Sequence, residues 1–444
     1  MFIDKGTLLD LEIFATPAPN GLTVFSLVDR TRTELGRQKL RRRLSEPAET
    51  PDEIKVLQEA HQTIASDLAA FRTSLDRADP DGALRYLNSR WELPTARNWL
   101  TRSLAGVWLG LRYSAYLQDV AKGQPRVLAL LRGASEIRRR MSAVRNPVLR
   151  ALGDAISVQL DAPECEALLR FGERPSGGSR LAFDQHARGK AKERLFALAD
   201  CLGQFEASWS IAAATVEHGW SYPTVGDRLR INGLTHPFLS KRAVSNTFEL
   251  GAEVRVCFLT GPNMAGKSTF LKAVAVATIL AQVGSGVPAV SMEFVPVRTV
   301  FSSVQIVDNI GAGESFYLAE VRRIRGLAVA VREYGSAVAV IDEPFRGTNA
   351  HDAAEATLAV ITRLAAHKSV VTIVASHLGE VGSLIANDAR IRALHFAADV
   401  SKEPPRFDFQ LRDGVSSQRL GMILLNQEHV LDLLDQSRTG PGAV

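Results

Sequence analysis

One octapeptide constrains the fold of this chain more than any other feature. Gly261-Pro262-Asn263-Met264-Ala265-Gly266-Lys267-Ser268 fits the pattern G-x-x-x-x-G-K-[ST]. The run before it, Val254-Arg-Val-Cys-Phe-Leu-Thr260, reads as a strand, and a helix is predicted from Lys267 onward, through Thr269. Strand, glycine-rich turn and helix in that order are the context the pattern needs. Such a turn aims backbone N–H groups at one point, and the helix N-terminus adds the positive end of its dipole. Both favour a phosphate. Lys267 is then expected to neutralise the β and γ phosphates of a nucleotide, and Ser268 to hold Mg²⁺. The competing reading is a chance glycine-rich turn.

A second segment argues against chance. Val338-Ala-Val-Ile-Asp342-Glu343 is an apolar strand ending in two carboxylates. Asp342 suits a Mg²⁺ shell, and Glu343 is placed to orient or deprotonate an attacking water. Two solvated acids at a strand end are the plainer alternative. His377 follows the next apolar run, Val370–Ala375. Past the C-terminal edge of a parallel strand it can reach a γ-phosphate, because ligands sit at that edge in open α/β sheets. Alone, it would be read as a loop histidine.

The 444 residues are enough for two to four domains, at roughly 100–200 residues each. Two halves with different periodicity are visible. Before about residue 220 the pattern is helical. Thr50-Pro51-Asp52-Glu53 reads as a capped helix start, with Ile54, Leu57, Ile64 and Leu68 following at helical spacing. From about Lys190 to His218, Leu195, Leu198, Leu202, Phe205, Trp209, Ala212 and Val216 form a narrow seam like that of a coiled coil. This segment is expected to be an arm with one face on another helix. After about residue 250 strands alternate with helices, which predicts an α/β domain with a largely parallel sheet. The stretch 219–250, with its Gly, Pro and mixed polar residues, reads as a junction, and Ser176-Gly-Gly-Ser179 as a turn or flexible loop. The expected division is a helical domain over 1–220, an ATPase-type domain over 221–436 and a flexible tail over 437–444.

Charge and cysteine usage set weaker bounds. Lys+Arg number 53 against Asp+Glu 48, a balance compatible with an anionic partner that does not require one. Cys165, Cys201 and Cys257 stand far apart with no CxxC spacing, which fits neither a disulfide framework nor a zinc site. The start MFIDKGTLLDLEIF has no basic leader followed by an apolar block, and the longest apolar run, Ala273–Val283, is too short to cross a bilayer. A cytoplasmic protein is expected.

The motifs together resemble one family. Thr260–Thr269, TGPNMAGKST, resembles the phosphate loop of the MutS DNA mismatch-repair family. Ala281–Ala289 is similar to the segment after that loop's helix. Asp308-Asn-Ile-Gly-Ala-Gly-Glu-Ser315, with Glu320 beyond, resembles the family's signature. Asp342-Glu-Pro-Phe-Arg-Gly-Thr348 and Ala375-Ser-His377 resemble its D-E-x-x-R-G-T and A-T-H. Upstream, Val24–Gly36 with Leu40, Leu44 and Pro47 is similar to the start of the MutS core domain, and Thr235-His236-Pro237 to the Arg-His-Pro before the ATPase domain.

The resemblance implies an α/β ATPase domain of the P-loop, ABC type, preceded by an all-α lever or core domain. It implies ATP and Mg²⁺ as cofactors, with Lys267, Ser268, Asp342, Glu343 and His377 acting in one subunit and Ser315 reaching the γ-phosphate of the other across a homodimer or heterodimer. Asn263 would contact the γ-phosphate or its water. Departures are Ala265 in the loop, Pro344-Phe345 after the acids and Phe316 after the signature serine. Because the chain begins at the core domain, no mismatch-reading or connector domain is expected. Only about Arg170–Lys190 stands where the family inserts its DNA clamp.

An ATP-dependent DNA-binding protein of repair or recombination is the leading expectation, structure-selective rather than mismatch-selective. An RNA- or ribosome-associated ATPase and a nucleotide-switched protein-interaction module remain alternatives. The nucleic-acid contact is expected between Arg126 and Arg150, where Arg126, Arg132, Arg138, Arg139, Arg140, Arg145 and Arg150 face a single acid, Glu136. A solvated helix face is the competing explanation of that run.

Overall fold

The computed structural model describes residues 1–436 apart from Asn20, Arg90, 92–113, 172–176, Ala252, 306–315, 401–404, Ser417 and Arg419. The signature motif through Ser315 and the expected tail therefore lie outside the described residues. The chain divides into two compact units. The first joins His218–Val444 to Met1–Leu27 and Ser45–Pro51, and the second comprises Val28–Leu44 and Asp52–Glu217.

The first unit is built on a six-stranded sheet. Its strands are β4 (Val256–Thr260), β6 (Thr299–Ser303), β7 (Ala337–Asp342), β8 (Val370–Ala375), β9 (Ile391–His395) and β12 (Arg412–Asp413), in the order β12-β9-β4-β8-β7-β6. Every pairing is parallel except β12 with β9. β4, β6 and β8 are buried at every position, as expected when helices cover both faces of a parallel sheet and side chains of either parity meet apolar neighbours. This order carries the chemistry. β8 lies between β4 and β7, with Leu259 and Asp342 both in register with Ala375. Loops far apart in sequence thus leave the same edge side by side.

The stretch read as a junction contains strands instead. β1 (Thr224–Val225), β2 (Leu229–Leu234) and β3 (Asn246–Leu250) combine with β5 (Ser291–Phe294) in a second sheet, ordered β1-β5-β2-β3. Gly233, at φ 64°, sits where the β2–β3 register shifts. The glycines there serve the sheet. A short ribbon pairs β10 (Ala398–Asp399) with β11 (Arg406–Phe407).

The N-terminal residues belong to this unit, which a division at residue 220 does not capture. The Phe2 amide donates to the Arg298 carbonyl at 2.8 Å. Buried Asp10, at the end of the helix Lys5–Asp10, accepts from the Val304 and Gln305 amides at 2.7 and 3.1 Å and from Ser302 Oγ at 3.0 Å. Arg323, on the helix Phe316–Tyr334, donates to Asp4 at 2.7 Å. Val304, Gln305 and Arg323 are therefore all tied to one short helix.

The second unit is helical. Lys192–Glu217 is its central helix, roughly 39 Å long at 1.5 Å per residue. It is more than an arm with a single seam. Ala199, Cys201, Ala207, Ser210, Ile211 and Ala214 are buried along with the predicted seam, whereas Val216 of that seam is 53% exposed. The helices Leu68–Arg77, Pro80–Asn88, Ser114–Met141 and Pro147–Leu160 all pack against it, so no face is left for a narrow stripe. Ser176-Gly-Gly-Ser179, expected as a loop, opens into the helix Gly177–Gln185, whose Leu181 and Phe183 are fully buried and repay the glycines' conformational cost. Buried Glu206 accepts from the Arg32 amide at 2.7 Å and from the Thr33 hydroxyl, fixing the turn into the helix Glu34–Ser45.

Among the described residues no helix is long and apolar enough to cross a membrane. Cys165, Cys201 and Cys257 are free and buried.

Candidate functional site

The site begins where β4 ends. Gly261 (φ 140°) turns the chain so tightly that a Cβ there would lie 2.7 Å from the Phe396 carbonyl oxygen. Gly266 (φ 102°) stands in the left-handed region immediately before the helix Lys267–Gln282. Only glycine meets such a φ without strain. Met264 takes φ 69° and is 80% exposed at the tip, while Ala265 is buried, its methyl turned into the protein. The loop of Pro262, Asn263, Met264 and Ala265 therefore offers mainly backbone to a ligand. The first N–H groups of the following helix, at Lys267, Ser268 and Thr269, have no intrahelical acceptors to satisfy them.

Lys267 is 5% exposed. Its Nζ donates to the carbonyls of Gly261 at 2.7 Å and Pro262 at 3.2 Å and to Asn263 Oδ1 at 3.4 Å, and lies 3.8 Å from Glu343 Oε1. Burial pulls the ammonium below its ordinary range, opposed by the charges of Glu343 and Asp342. At the next residue, the Ser268 hydroxyl donates to Asp342 Oδ2. Among the described residues Asp342 Oδ1 is buried without a hydrogen-bond partner, and burial raises the carboxyl above its usual range. A buried carboxylate oxygen left unpaired is costly unless something coordinates it.

Glu343 and His377 complete this edge. The Glu343 amide donates to the Ala375 carbonyl at 2.8 Å, extending the β7–β8 pairing by one residue. The chain then turns sharply: Glu343 has φ 46° and Phe345 φ 65°, two side-chain-bearing residues in the left-handed region within three positions. Strain of this kind persists only where the surroundings enforce it. Buried Glu320 does so, accepting from the Arg346 amide at 3.1 Å and the Gly347 amide at 3.0 Å. A Cβ on Gly347 would lie 2.7 Å from the Tyr317 amide nitrogen. His377 Nδ1 is 3.6 Å from Glu343 Oε2, an ion-pair contact longer than a normal hydrogen bond. His377 holds Glu343 below the usual carboxylate range, and Glu343 in turn raises His377.

A pocket lined by Asn263, Lys267, Ser268, Thr269 and Glu343 has a volume of about 460 Å³, within the range of small-ligand sites. Its apolar and aromatic lining is His236, Leu239, Val244, Phe396 and Phe409. Phe409 also borders the loop: a Cβ on Gly266 would lie 3.3 Å from its ring. Burial pushes His236 down to about 4, so its imidazole is neutral at neutral pH. Phe409 is held in place by Asn246, whose amide donates to the Phe409 carbonyl at 2.9 Å and accepts from the Leu411 amide at 2.7 Å. Sequence reasoning did not assign Asn246, Phe396 or Phe409, and used His236 only as part of a resemblance. No local pattern marks them, because Asn246 and Phe409 stand 163 residues apart.

The residues predicted around the phosphate loop are thus brought together, whereas the seven arginines are dispersed. Arg126 lies 3.6 Å from Asp79, Arg138 pairs with Asp161 at 2.5 Å, and Arg140 donates to Ser74 at 3.0 Å and lies 3.7 Å from Asp67. Arg145 is exposed in the turn before the helix Pro147–Leu160, which carries exposed Arg150. Arg132 and Arg139 open onto a surface hollow.

Comparison with known proteins agrees with the motifs. Residues 257–431 match the family model of MutS domain V. Residues of this chain are 31% identical over 265 positions to DNA mismatch repair protein MutS 2 of Halobacterium salinarum, covering 57% of this chain and 30% of that protein. They are 32% identical over 248 positions to DNA mismatch repair protein MutS of Thermus thermophilus, covering 54% and 29%. The corresponding protein of Treponema pallidum is 36% identical over 196 positions. The matches therefore span less than a third of the first two relatives' length. With the domain V match running from β4 through the phosphate loop, both acids and His377, the chain belongs to the MutS family.

Proposed function

We propose that this chain is an ATP-hydrolysing, DNA-binding protein of DNA repair or recombination. The observation that carries the ATPase reading is that Lys267, Ser268 and Glu343 line one pocket together with His236, Phe396 and Phe409, while Asp342 pairs with Ser268 and His377 lies beside Glu343. A polyphosphate suits the polar lining and a flat base the aromatic lining. The fold supporting this reading is a P-loop ATPase domain made mainly of the C-terminal half, with the helical half as its lever.

Ser268 and Asp342 fit a magnesium ion: a hydroxyl and a carboxylate are paired, and one carboxylate oxygen is buried and unpaired. Among the described residues no cluster of three His, Cys, Asp or Glu side chains could hold a metal alone. Magnesium needs none, since it is commonly held by one or two protein groups with substrate phosphates and water. When bound it supplies positive charge to the phosphate oxygens. Lys267 leaves its loop carbonyls for the β and γ phosphates. Asn263 and His377 contact the γ-phosphate or the attacking water, and Glu343 accepts that water's proton. Two copies share each site, with Ser315 of the partner subunit completing it. DNA is the partner of the arginine-bearing helical unit, in keeping with relatives named DNA mismatch repair proteins.

Two variants test the catalytic assignment. Glu343→Gln should bind ATP·Mg²⁺ as the parent does but turn over at least ~100-fold slower, within the range for loss of a general base. Lys267→Ala should lose nucleotide affinity itself. Equal turnover in Glu343→Gln and the parent removes Glu343 from the proton-transfer role.

A further inference from the structure

The helical unit carries a hollow of about 650 Å³. Arg77, Arg132, Arg138 and Arg139 line it, and Glu136 is the acid among its lining residues. The arrangement follows from helical geometry. Arg132, Ser135, Arg139 and Ser142 are spaced by three, four and three residues, which puts them along one face of Ser114–Met141 and the turn that follows it. Arg140 is not among the lining residues: it donates to Ser74 and lies 3.7 Å from Asp67 and 3.8 Å from Glu136. Arg77 arrives from a different helix, Leu68–Arg77, and pairs with Glu136 at 2.8 Å. Arg138 reaches Asp161 at 2.5 Å. Arg139 has no side-chain partner among the described residues.

Four guanidinium groups thus border one concavity that contributes a single carboxylate. A guanidinium is a planar fork suited to phosphate oxygens, and Arg77 and Arg138 reach the hollow from ion pairs with Glu136 and Asp161. Arg132 and Arg139 are seven residues apart, roughly 10 Å along the helix. That is about three times the ~3.4 Å rise per nucleotide of a DNA strand, so the pair can reach phosphates several steps apart.

We propose that this hollow is a backbone-phosphate site for duplex DNA, formed by Arg132, Arg138 and Arg139 together with Arg77. This rests on the DNA-binding reading above and narrows it: Arg126, Arg140, Arg145 and Arg150 of the arginine run fall outside the site, and Arg77, from outside the run, enters it. Contacts of this kind fix position and register without reading bases.

Binding of a labelled duplex by the full chain over a salt series tests the assignment. Each phosphate contact contributes about 0.9 to the slope of log affinity against log salt. Arg132→Gln combined with Arg139→Gln should lower the slope by about 1 to 2 and weaken binding at low salt at least ~10-fold, with ATP binding unchanged. Arg77→Gln should lower the slope by about 1. Ser142→Glu, which keeps every guanidinium and every ion pair, should weaken binding in the same direction. Arg126→Gln with Arg145→Gln should leave the slope as it is.

If the parent binds duplex DNA and the hollow variants keep its slope, the hollow is not the contact and the DNA reading stands without it. Equal losses from the Arg126 and Arg145 pair overturn the site in favour of general surface charge. Losses confined to duplex RNA, or specific competition by inorganic phosphate at matched ionic strength, replace the proposed ligand with RNA or a small anion. A parent that binds no DNA removes the DNA reading and this inference with it.

Discussion

Glu343 shows how much of the proposed chemistry rests on single side chains. Its backbone is held in the left-handed region, its amide continues the sheet, and its carboxylate lies near Lys267, Arg346 and His377. The contact with His377 lowers the Glu343 carboxyl below its ordinary 4.5 and raises the imidazole above its ordinary 6.5. For a lowered acid, the stabilisation is present above 4.5 and is lost as pH falls through the lowered value. For a raised histidine, it is present below 6.5 and is lost as pH rises through the raised value. Between these limits the pair is a carboxylate beside an imidazolium. Hydrolysis should therefore decline on the alkaline side with an apparent pKa above 6.5, and that limb should vanish in His377→Asn. An alkaline limb that persists in the variant would assign the titration to another group. The polar lining of the pocket is legible in sequence because its residues are local: a turn, a serine on the next helix, and acids ending a strand. The aromatic lining is not, because Asn246 and Phe409 meet only after β3 and the segment before β12 have come together.

At the scale of elements, burial decides what could be read. The strands Val370–Ala375 and Ala337–Asp342 are continuous apolar runs, and their sequences announce them. β1, at 2 residues with both exposed, gives no period to detect. The stretch Val24–Gly36 resembles the start of the family's core domain, and at its end Thr33 and Gly36 meet the buried Glu206 carboxylate, against which a Cβ at Gly36 would collide. Gly36→Ala should lower stability by about 1–3 kcal/mol through overpacking, measured by denaturant unfolding. Unchanged stability would mean that Glu206 can move aside at no cost. Glu320 has the same kind of origin. It stood in sequence as a residue beyond the signature, and in the fold it holds the turn that places Glu343.

For the whole molecule, the shared-site proposal makes a prediction that no single subunit can satisfy. Ser315→Arg and Lys267→Ala should each abolish hydrolysis as pure proteins. A mixed dimer should regain one competent site, because an intact Lys267 faces an intact Ser315 at one of its two positions. Mixed dimers that form and stay inactive would argue that Ser315 acts within its own subunit or only caps its helix. Composition and net charge contributed little at this scale. The chain is close to charge balance, so its basic hollow depends on which helices meet.

The discontinuity of the first unit also bears on how the chain is made. Met1–Leu27 are synthesised early, yet Phe2 and Asp10 find their partners at Arg298 and Ser302–Gln305, nearly three hundred residues later. The helical unit, by contrast, has all its segments once Glu217 has left the ribosome. Domains generally fold as units during synthesis, at roughly 5–20 residues per second. The helical unit is thus expected to be complete some seconds to tens of seconds before the first unit has all its segments. Nascent chains arrested after residue 217 has emerged should already show a protease-resistant helical core, while their first 27 residues remain open to cleavage.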